Sequence, residues 1–286
     1  MFLVLWVGGI FEFWAGVCYN GERVFEGDGM MDFWASGVLW NRELAAGLEQ
    51  KDLIPLIKEF GLAGFEVRPF WGADPLAEAR ELAELARAAG LGRTYAGVEP
   101  ILGSSLERTV EQLRAMNQSI EIASILGSPV LRVNVDGQAD WSLLENQAIV
   151  EAWGHLIEWA RLKGVQLVLE NPPDRRAGSI EKIGLLLAVV PTLQLTFDTG
   201  NWVIAGEHPV AAWEAFSDRI GYLHLKDVRF LGSGDFSHCR PGMGGIDFHG
   251  LLEKIYESYE GPAVLEFASQ EAPDVEIRKA LTYLQG

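Results

Sequence analysis

The chain has 286 residues, of which 49% are hydrophobic and 22% charged, and its formal net charge is −17. This composition allows a large buried core and excludes a disordered chain, and its negative field argues against nucleic acid as a partner. Two cysteines are too few for a disulfide framework, so we expect a reducing, cytoplasmic location.

The first segment in chain order is a predicted N-terminal extension over residues 1–30. Its apolar run is interrupted by Glu12, is shorter than the ~20 residues of a membrane span, and lacks the features of a signal peptide. We therefore expect no membrane association. The extension is either an extra strand or hairpin beneath the fold, or a non-native start. Because "FEGDGMM" can be encoded by a stretch resembling a bacterial ribosome-binding site, we hypothesise that translation begins at Met30 or Met31.

Short β-rich runs alternate with longer runs of helical period from residue 32 onward. Strands are predicted at 32–38, 64–70, 92–99, 129–136, 165–171, 193–201, 221–227 and 262–268. Helices are predicted between them, for example over 75–90 and 104–127. Ser104 with Glu107 fits a capping box at the start of the second of these helices.

Eight βα units in roughly 250 residues predict a single (β/α)₈ TIM-barrel domain over residues 31–286. The strands are apolar on both faces, as parallel strands beneath helices require. A doubly wound open sheet is the alternative. The segment "ASGVLWNRE" after the first strand lacks the glycine-rich phosphate turn of that fold, so the barrel is favoured.

Polar side chains mark the last four predicted strands. Glu170 ends the fifth strand and Asp198 the sixth, while His224 and Glu266 lie on the seventh and eighth. The C-terminal strand ends surround the active site of this fold, so we expect these side chains to converge. Neighbouring carboxylates repel one another, and a divalent cation removes that conflict. Their ligand types suit Mn²⁺, Mg²⁺, Co²⁺ or Zn²⁺, and the spacing does not choose among these metals.

Each of these residues has a simpler interpretation when taken alone. Asp198 can be a helix N-cap, and His224 can be a hydrogen-bonded core histidine. Glu170 can pair with a nearby arginine such as Arg175. If all of these interpretations were correct, unrelated polar residues would have to lie at consecutive strand ends by coincidence. A shared metal site explains their positions with one cause, so the sequence favours it.

The motifs "LVLEN", "FDTGNW", "HLKD", "GMGGIDF" and "VLEF" occur in this order. With them the sequence resembles the sugar phosphate isomerase and epimerase family, xylose-isomerase-like TIM barrels related to the endonuclease IV superfamily. The resemblance implies that Glu170, Asp198, His224 and Glu266 bind one divalent metal ion. It also implies that Glu170 and Glu266 flank the substrate as base and acid.

We expect a metal-dependent isomerase or epimerase of a small sugar, polyol or sugar-phosphate-like keto compound. One carboxylate removes a proton beside the carbonyl to form an enediolate, which a metal stabilises as a Lewis acid, and the other carboxylate returns the proton. A dehydratase of the inosose or dehydroshikimate type is the alternative on the same site. A barrel that binds a sugar without turnover is a further alternative, and relatives are often homo-oligomers.

Two positions depart from the family pattern. Many relatives have a histidine where this chain has Asn201, which can hydrogen-bond a substrate hydroxyl but is a poor metal ligand. The endonuclease IV branch binds several zinc ions through additional ligands. His238 occupies one of those ligand positions, but Phe236 stands where an aspartate is expected. A multi-zinc abasic-site endonuclease is therefore the less favoured alternative.

Two arginines at strand ends are predicted to contact the substrate. Arg68 and Arg132 lie at the ends of the second and fourth strands, where a guanidinium suits a carboxylate or phosphate. The alternative is an ion pair with Glu66, Glu99 or Asp136.

Other predicted substrate contacts follow the later strands. Lys226 is expected in the site, or in an ion pair with Asp227, and Arg229 either reaches the substrate or is an exposed loop residue. Asn201 and His238 complete this set. Three tryptophans in predicted loops can cover the apolar face of a sugar ring: Trp71, Trp141 and Trp202.

Overall fold

Eight parallel strands close into a barrel in the computed structural model, which describes residues 31–232 and 234–285 together with Cys18–Tyr19 and Glu22–Arg23. The barrel strands, numbered in chain order, are β1 Phe33–Ser36, β2 Gly64–Val67, β3 Gly92–Pro100, β4 Val130–Asn134, β5 Gln166–Glu170, β6 Gln194–Asp198, β7 Ile220–Leu225 and β8 Ala263–Leu265. Each strand pairs with the next, and β8 pairs with β1. The predicted (β/α)₈ barrel is confirmed.

The two described dipeptides of the N-terminal extension pair antiparallel, Cys18 with Arg23 and Tyr19 with Glu22. The rest of residues 1–30 lies outside the described residues. The predicted role of that segment, and the proposed start at Met30 or Met31, remain predictions.

Helices surround the barrel between its strands. They are α1 Asn41–Ala45, α2 Leu53–Glu59, α3 Pro75–Ala89, α4 Leu106–Leu126, α5 Gln147–Leu162, α6 Ile180–Val189, α7 Thr199–Ala205, α8 Pro209–Phe216, α9 Phe248–Ser258 and α10 Pro273–Gln285. No helix in the described ranges combines the length and apolar character needed to cross a membrane.

Local capping explains where two long helices begin. Asp74 accepts a hydrogen bond from the amide of Ala77 and precedes a proline at the first turn of α3. The predicted capping box of α4 is wrong by one residue. Ser105, in an extended conformation, caps the helix by accepting from the amide of Arg108.

The barrel interior is filled by a small apolar cluster from five strands: Trp34, Val130, Val168, Tyr222 and Val264. Trp34 requires glycine on the two following strands, because a Cβ at Gly64 or Gly92 would lie within 2.6 Å or 2.2 Å of its ring. Tyr222 shares a 2.5 Å hydrogen bond with Thr94, and its ring packs edge-on against His224. This filled interior supports the polar side chains at the strand ends.

An antiparallel hairpin, Asp227–Gly232 with Asp235–Cys239, follows β7 directly. We call it the mouth hairpin, because it leaves the barrel at the C-terminal end of a strand. It places Cys239 in a buried position and His238 in a half-buried one. The hairpin was not predicted, because the sequence between the seventh and eighth strands reads as a long loop.

Candidate active site

Three polar side chains from consecutive strands meet at the C-terminal end of the barrel. Glu170 and Asp198 are the last residues of β5 and β6, and His224 lies near the end of β7. Each offers one ligand atom, and these atoms lie within 4.8 Å of one another. His224 Nδ1 is 2.8 Å from Glu170 Oε1 and 3.7 Å from Asp198 Oδ2. All three side chains are buried, so water does not screen their charges.

Glu266, the fourth predicted ligand, lies immediately after β8 and outside this group of three. Its Oε2 is 2.8 Å from Lys226 Nζ, and its Oε1 is 3.7 Å from a nitrogen of Arg68. The structure therefore brings Glu266 to the same end of the barrel, with its carboxylate facing two cations.

Three cations lie among the carboxylates of the site. Arg132 Nη1 is 3.3 Å from Glu170 Oε2, and Lys226 Nζ is 2.8 Å from Asp198 Oδ2. The simpler interpretation of Glu170 named Arg175 as an example of a partner, but the arginine that pairs with Glu170 is Arg132 from the neighbouring strand. Together with Arg68, these cations balance the negative charges that the strand ends concentrate.

Opposite charges control the ionisation of His224. Burial disfavours its charged form, but Glu66, Asp198 and Glu170 outweigh burial and hold the pKa of His224 well above its ordinary value. Burial equally disfavours ionised Glu170, yet the charge of Arg132 and the hydrogen bond from His224 hold the pKa of Glu170 well below its ordinary value. The surrounding carboxylates therefore favour the charged form of His224.

Lys226 remains charged by the same physics. Burial acts to lower its pKa, but Asp198 and Glu266 outweigh burial and raise the pKa of Lys226 above its ordinary value. The first turn of α7 leaves room for its side chain, because a Cβ at Gly200 would lie 2.7 Å from Lys226 Cγ. Lys226 is therefore an ammonium donor in the site and not a neutral amine.

The two carboxylate oxygens of Asp198 have different roles in the structure. Its Oδ1 accepts a 2.9 Å hydrogen bond from the amide of Asn201 and caps α7, as the simpler interpretation predicted. Its backbone is clamped by the side chain of Asn171, which accepts from the Asp198 amide at 2.8 Å and donates to its carbonyl at 3.2 Å. Oδ2 remains directed toward Lys226 and His224. The N-cap and the proposed ligand are thus compatible.

Asn201 turns its side-chain amide toward the carbonyl of Asn171, at 2.9 Å, while its buried Oδ1 has no hydrogen-bond partner. Asn171 was not predicted as a site residue. Its place directly after Glu170 in "LVLEN" was the available signal, since a buried amide at a strand end needs partners.

Glu66 is the second residue that the sequence did not place in the site itself. The sequence offered it only as an alternative ion-pair partner of the strand-end arginines, and its Oε1 does lie 3.3 Å from Arg68 Nη1. Its Oε2 also lies 2.7 Å from His224 Nε2. The carboxylate is fully buried, so this second contact makes Glu66 part of the same charge network.

The remaining predicted contacts are Arg229 and His238. Arg229 is exposed and donates to the carbonyl of Met243. His238 is half-buried on the mouth hairpin, and its Nε2 is buried without a hydrogen-bond partner. Burial and the nearby charge of Lys226 lower the pKa of His238, which favours a neutral imidazole.

Of the three tryptophans predicted to lie in loops, two lie outside the α-helices and one is buried in the core. Trp71 donates to the hydroxyl of Tyr95, and Trp141 lies under the ammonium of Lys182. The prediction for Trp202 is wrong: it lies within α7, is fully buried and packs against Phe197 and Phe216. Its segment forms a helix because Asp198 caps the chain immediately after β6.

The group formed by Glu170, Asp198 and His224 fits a divalent metal ion. It offers two carboxylates and one imidazole nitrogen within coordination reach of a common centre. Such a mixed oxygen and nitrogen set is compatible with Mg²⁺, Mn²⁺, Co²⁺ and Zn²⁺ alike. The site can therefore hold a metal, whose identity the ligand types do not select.

Comparisons with known proteins agree with this architecture. The family model described as "Xylose isomerase-like TIM barrel" matches residues 54–286. The inosose dehydratase of Bacillus thuringiensis (strain Al Hakam) is 27% identical over 248 residues, covering 73% of this chain and 80% of the relative. Against the curated inosose dehydratases of Clostridium beijerinckii, Clostridium botulinum (strain Alaska E43 / Type E3) and Lacticaseibacillus casei, the chain spans less than half of the length of each relative, from 41% to 47%.

Two solved structures show the same fold. The probable 3-DHS dehydratase of Bacillus anthracis superposes with a TM-score of 0.70 at 16% identity, covering 90% of this chain and 99% of that one. The 3-keto-D-glucoside 4-epimerase of E. coli gives 0.68 at 20% identity, with 90% and 99% covered. The family match extends over most of the chain and over most of the described barrel. The chain therefore belongs to the xylose isomerase-like TIM barrel family.

Proposed function

We propose that this protein is a divalent-metal-dependent isomerase or epimerase of a small sugar, polyol or sugar-phosphate-like keto compound. The observation that carries the proposal is the pair of carboxylates Glu170 and Glu266, which face the same barrel end across Asp198, His224 and Lys226. Two such carboxylates supply what an enolisation needs, one group that removes a proton and one that returns it.

Each proposed acid–base residue is oriented by cations of the chain. Glu170 is held by Arg132 and His224, and Glu266 by Lys226 and Arg68. Glu170 removes the proton beside the substrate carbonyl, and the ammonium of Lys226 lies close to the charge that develops on the substrate. Glu266, entering this step as the carboxylic acid, then gives its proton to the neighbouring carbon or to the opposite face, and proton exchange with solvent resets both carboxyl groups. A divalent cation, when bound, supplies Lewis acidity for a carbonyl and an adjacent hydroxyl.

The names of the relatives support carbohydrate-type chemistry for this chain. One structural neighbour is named as a 3-keto-D-glucoside 4-epimerase, and another is similar to a D-tagatose 3-epimerase. We also propose that the protein binds one metal ion, as the family resemblance implies. Its ligands would be Glu170, Asp198 and His224, with Glu266 as the fourth.

The direct test is incubation of the metal-loaded protein with a panel of ketoses and inososes in deuterated water. An isomerase or epimerase is expected to form an isomeric product and to introduce solvent deuterium at the reacting carbon, as read by NMR and mass spectrometry. If ligands bind and stabilise the fold without any deuterium entering them, the barrel is a binding protein and the enzymatic proposal is wrong.

A dehydratase is the second candidate, and two observations favour it. The curated relatives compared above are named inosose dehydratases. His238 also has a buried, unpartnered Nε2 near the charges of the site, where an imidazole nitrogen can hydrogen-bond a substrate hydroxyl that is to leave. The same panel separates the two reactions, because a dehydratase forms a product lighter by one water.

A further inference from the structure

One hydrogen bond of the site crosses the barrel between strands that are not neighbours. Glu66 Oε2 on β2 lies 2.7 Å from His224 Nε2 on β7, and neither side chain is accessible to solvent. The strands β1 and β8 separate β2 from β7 around the closed sheet. The hydrogen bond therefore passes through the barrel interior. It contacts the imidazole at Nε2, whereas Glu170 on β5 contacts Nδ1.

The Glu66 carboxylate is itself held in place. Ser36 donates its hydroxyl to Oε1 at 2.8 Å, and Arg68 Nη1 lies 3.3 Å from the same oxygen. Both partners engage Oε1, and Oε2 faces His224. A buried carboxylate with this many fixed partners can hold an imidazole in one orientation.

The orientation of the imidazole decides which nitrogen faces the other ligands. With Nε2–H donated to Glu66, the lone pair of the neutral ring lies on Nδ1. Nδ1 is the nitrogen that lies 2.8 Å from Glu170 and 3.7 Å from Asp198. A hydrogen-bonded carboxylate behind a histidine ligand fixes its tautomer and strengthens it as a donor.

We propose that Glu66 is a positioning residue that holds His224 in the Nε2–H tautomer, so that Nδ1 presents its lone pair to a metal ion bound by Glu170 and Asp198. This inference rests on the metal site of the proposed function. The competing explanation is that Glu66 only neutralises Arg68 and lowers the net charge of the site. That explanation requires a carboxylate near Arg68 but no hydrogen bond to His224.

The first test uses the unaltered chain. Protein labelled with ¹⁵N in its five histidines is loaded with Zn²⁺, which is diamagnetic, and the ring nitrogens are assigned by NMR with His224→Asn as the reference. The result expected is a proton on Nε2 of His224 and a metal-induced shift on Nδ1. A proton on Nδ1 with the metal on Nε2 would overturn the proposal.

The second test separates the hydrogen bond from the charge. Glu66→Gln keeps the length of the side chain but removes its charge, whereas Glu66→Asp keeps the charge but withdraws the carboxylate from His224. Zn²⁺ affinity is measured by competition with a fluorescent chelator. Glu66→Asp is expected to bind Zn²⁺ about 10- to 100-fold more weakly, as is typical when the partner of a metal-bound histidine is lost. Glu66→Gln is expected to lose less affinity, because its amide oxygen can still accept a hydrogen bond from Nε2–H.

One control variant completes the second test. Glu99→Gln removes a carboxylate on β3 that accepts from Ser119. This control is expected to stay within about twofold of the unaltered affinity, since it does not remove the histidine's own partner.

The outcomes distinguish this inference from the proposed function. Unchanged affinity in Glu66→Asp, with a loss in Glu66→Gln, would show that charge alone matters and would reject the positioning role. If the unaltered protein binds no Zn²⁺, Mn²⁺ or Co²⁺, the metal site itself is wrong. Circular dichroism of each variant confirms that the measured protein is folded, and the labelled unaltered chain decides the question if a variant does not fold.

Discussion

Lys226 Nζ lies 2.8 Å from Asp198 Oδ2 in a site where both side chains are buried. The same ammonium lies 2.8 Å from Glu266, so one cation bridges two of the four proposed metal ligands. A divalent cation at Asp198 would share that carboxylate with Lys226. The two cations therefore repel each other, and each can replace part of the charge compensation that the other supplies.

Replacing Lys226 by methionine tests this relationship. Without metal, Lys226→Met leaves Asp198 and Glu266 buried without their cation, and we expect the free energy of unfolding to fall by about 3–5 kcal/mol. With saturating Mn²⁺ the loss should be smaller, because the metal compensates the same carboxylates. Urea titrations in chelator and in Mn²⁺ measure both values. The matched control is Lys254→Met at the exposed pair with Glu214, where we expect little change in the free energy of unfolding in either condition, because solvent screens that pair. An equal loss with and without Mn²⁺ would contradict the shared role of Lys226.

Substituting the two proposed acid–base residues is predicted to stop proton transfer. Glu170→Gln and Glu266→Gln each keep the shape of the side chain but remove the carboxylate base, so deuterium exchange into an active substrate should slow by at least about 100-fold. The measurement is the initial exchange rate by NMR at saturating metal and substrate. Retention of the full rate in either variant would remove that residue from the mechanism.

Asp227 is predicted to hold the segment that follows the mouth hairpin. Its buried carboxylate accepts hydrogen bonds from four backbone amides, those of Val228, Gly242, Gly244 and Ile246. Asp227→Asn replaces an acceptor-only group by one that also carries donors, and we expect a loss of about 2–3 kcal/mol in the free energy of unfolding.

Amide hydrogen exchange gives the more specific readout for Asp227. The amides of Gly242, Gly244 and Ile246 should lose protection in Asp227→Asn before the barrel strands do. Asp218→Asn, at an exposed aspartate, serves as the control and should change neither stability nor exchange. Unchanged protection of the three amides would show that another contact holds this segment.

Cys239 is predicted to be an unreactive thiol. It is almost fully buried, and burial followed by the charge of Asp227 raises the pKa of Cys239 to about 11. At pH 8 the thiolate fraction is therefore about 100-fold below that of an ordinary cysteine. In Cys18→Ser, which leaves Cys239 as the remaining cysteine, reaction with a disulfide reagent should be slow in the folded protein and rise with pH toward 11. Equally fast reaction of folded and urea-unfolded protein would contradict the burial.

Much of the fold was predictable from local patterns. The alternation of short apolar runs with helical periods located all eight barrel strands, and polar residues such as Glu170 and Asp198 marked the strand ends. These features depend on residues that are close in sequence, so the local sequence pattern is enough to predict them. The helix after β6 was missed, and with it the burial of Trp202, because a seven-residue helix leaves too short a pattern.

Contacts across the barrel were harder to predict. Glu66 and His224 are 158 positions apart and lie on strands that do not pair, so no local pattern connects them. The choice of Arg132 over Arg175 as the partner of Glu170 likewise depends on the register between β4 and β5. Tertiary geometry, and not residue type, selects among the charged partners at a crowded site.

The central claim is that Glu170, Asp198 and His224 bind a divalent metal ion, and elemental mass spectrometry of the purified protein tests it most directly. We predict about one divalent ion per chain in the unaltered protein, and loss of that ion in both Asp198→Ala and His224→Ala, because each variant removes a ligand. Absence of metal from the unaltered protein, even after reconstitution with Mn²⁺, Co²⁺ or Zn²⁺, would contradict the account. Two or more zinc ions per chain would instead favour the endonuclease-like alternative.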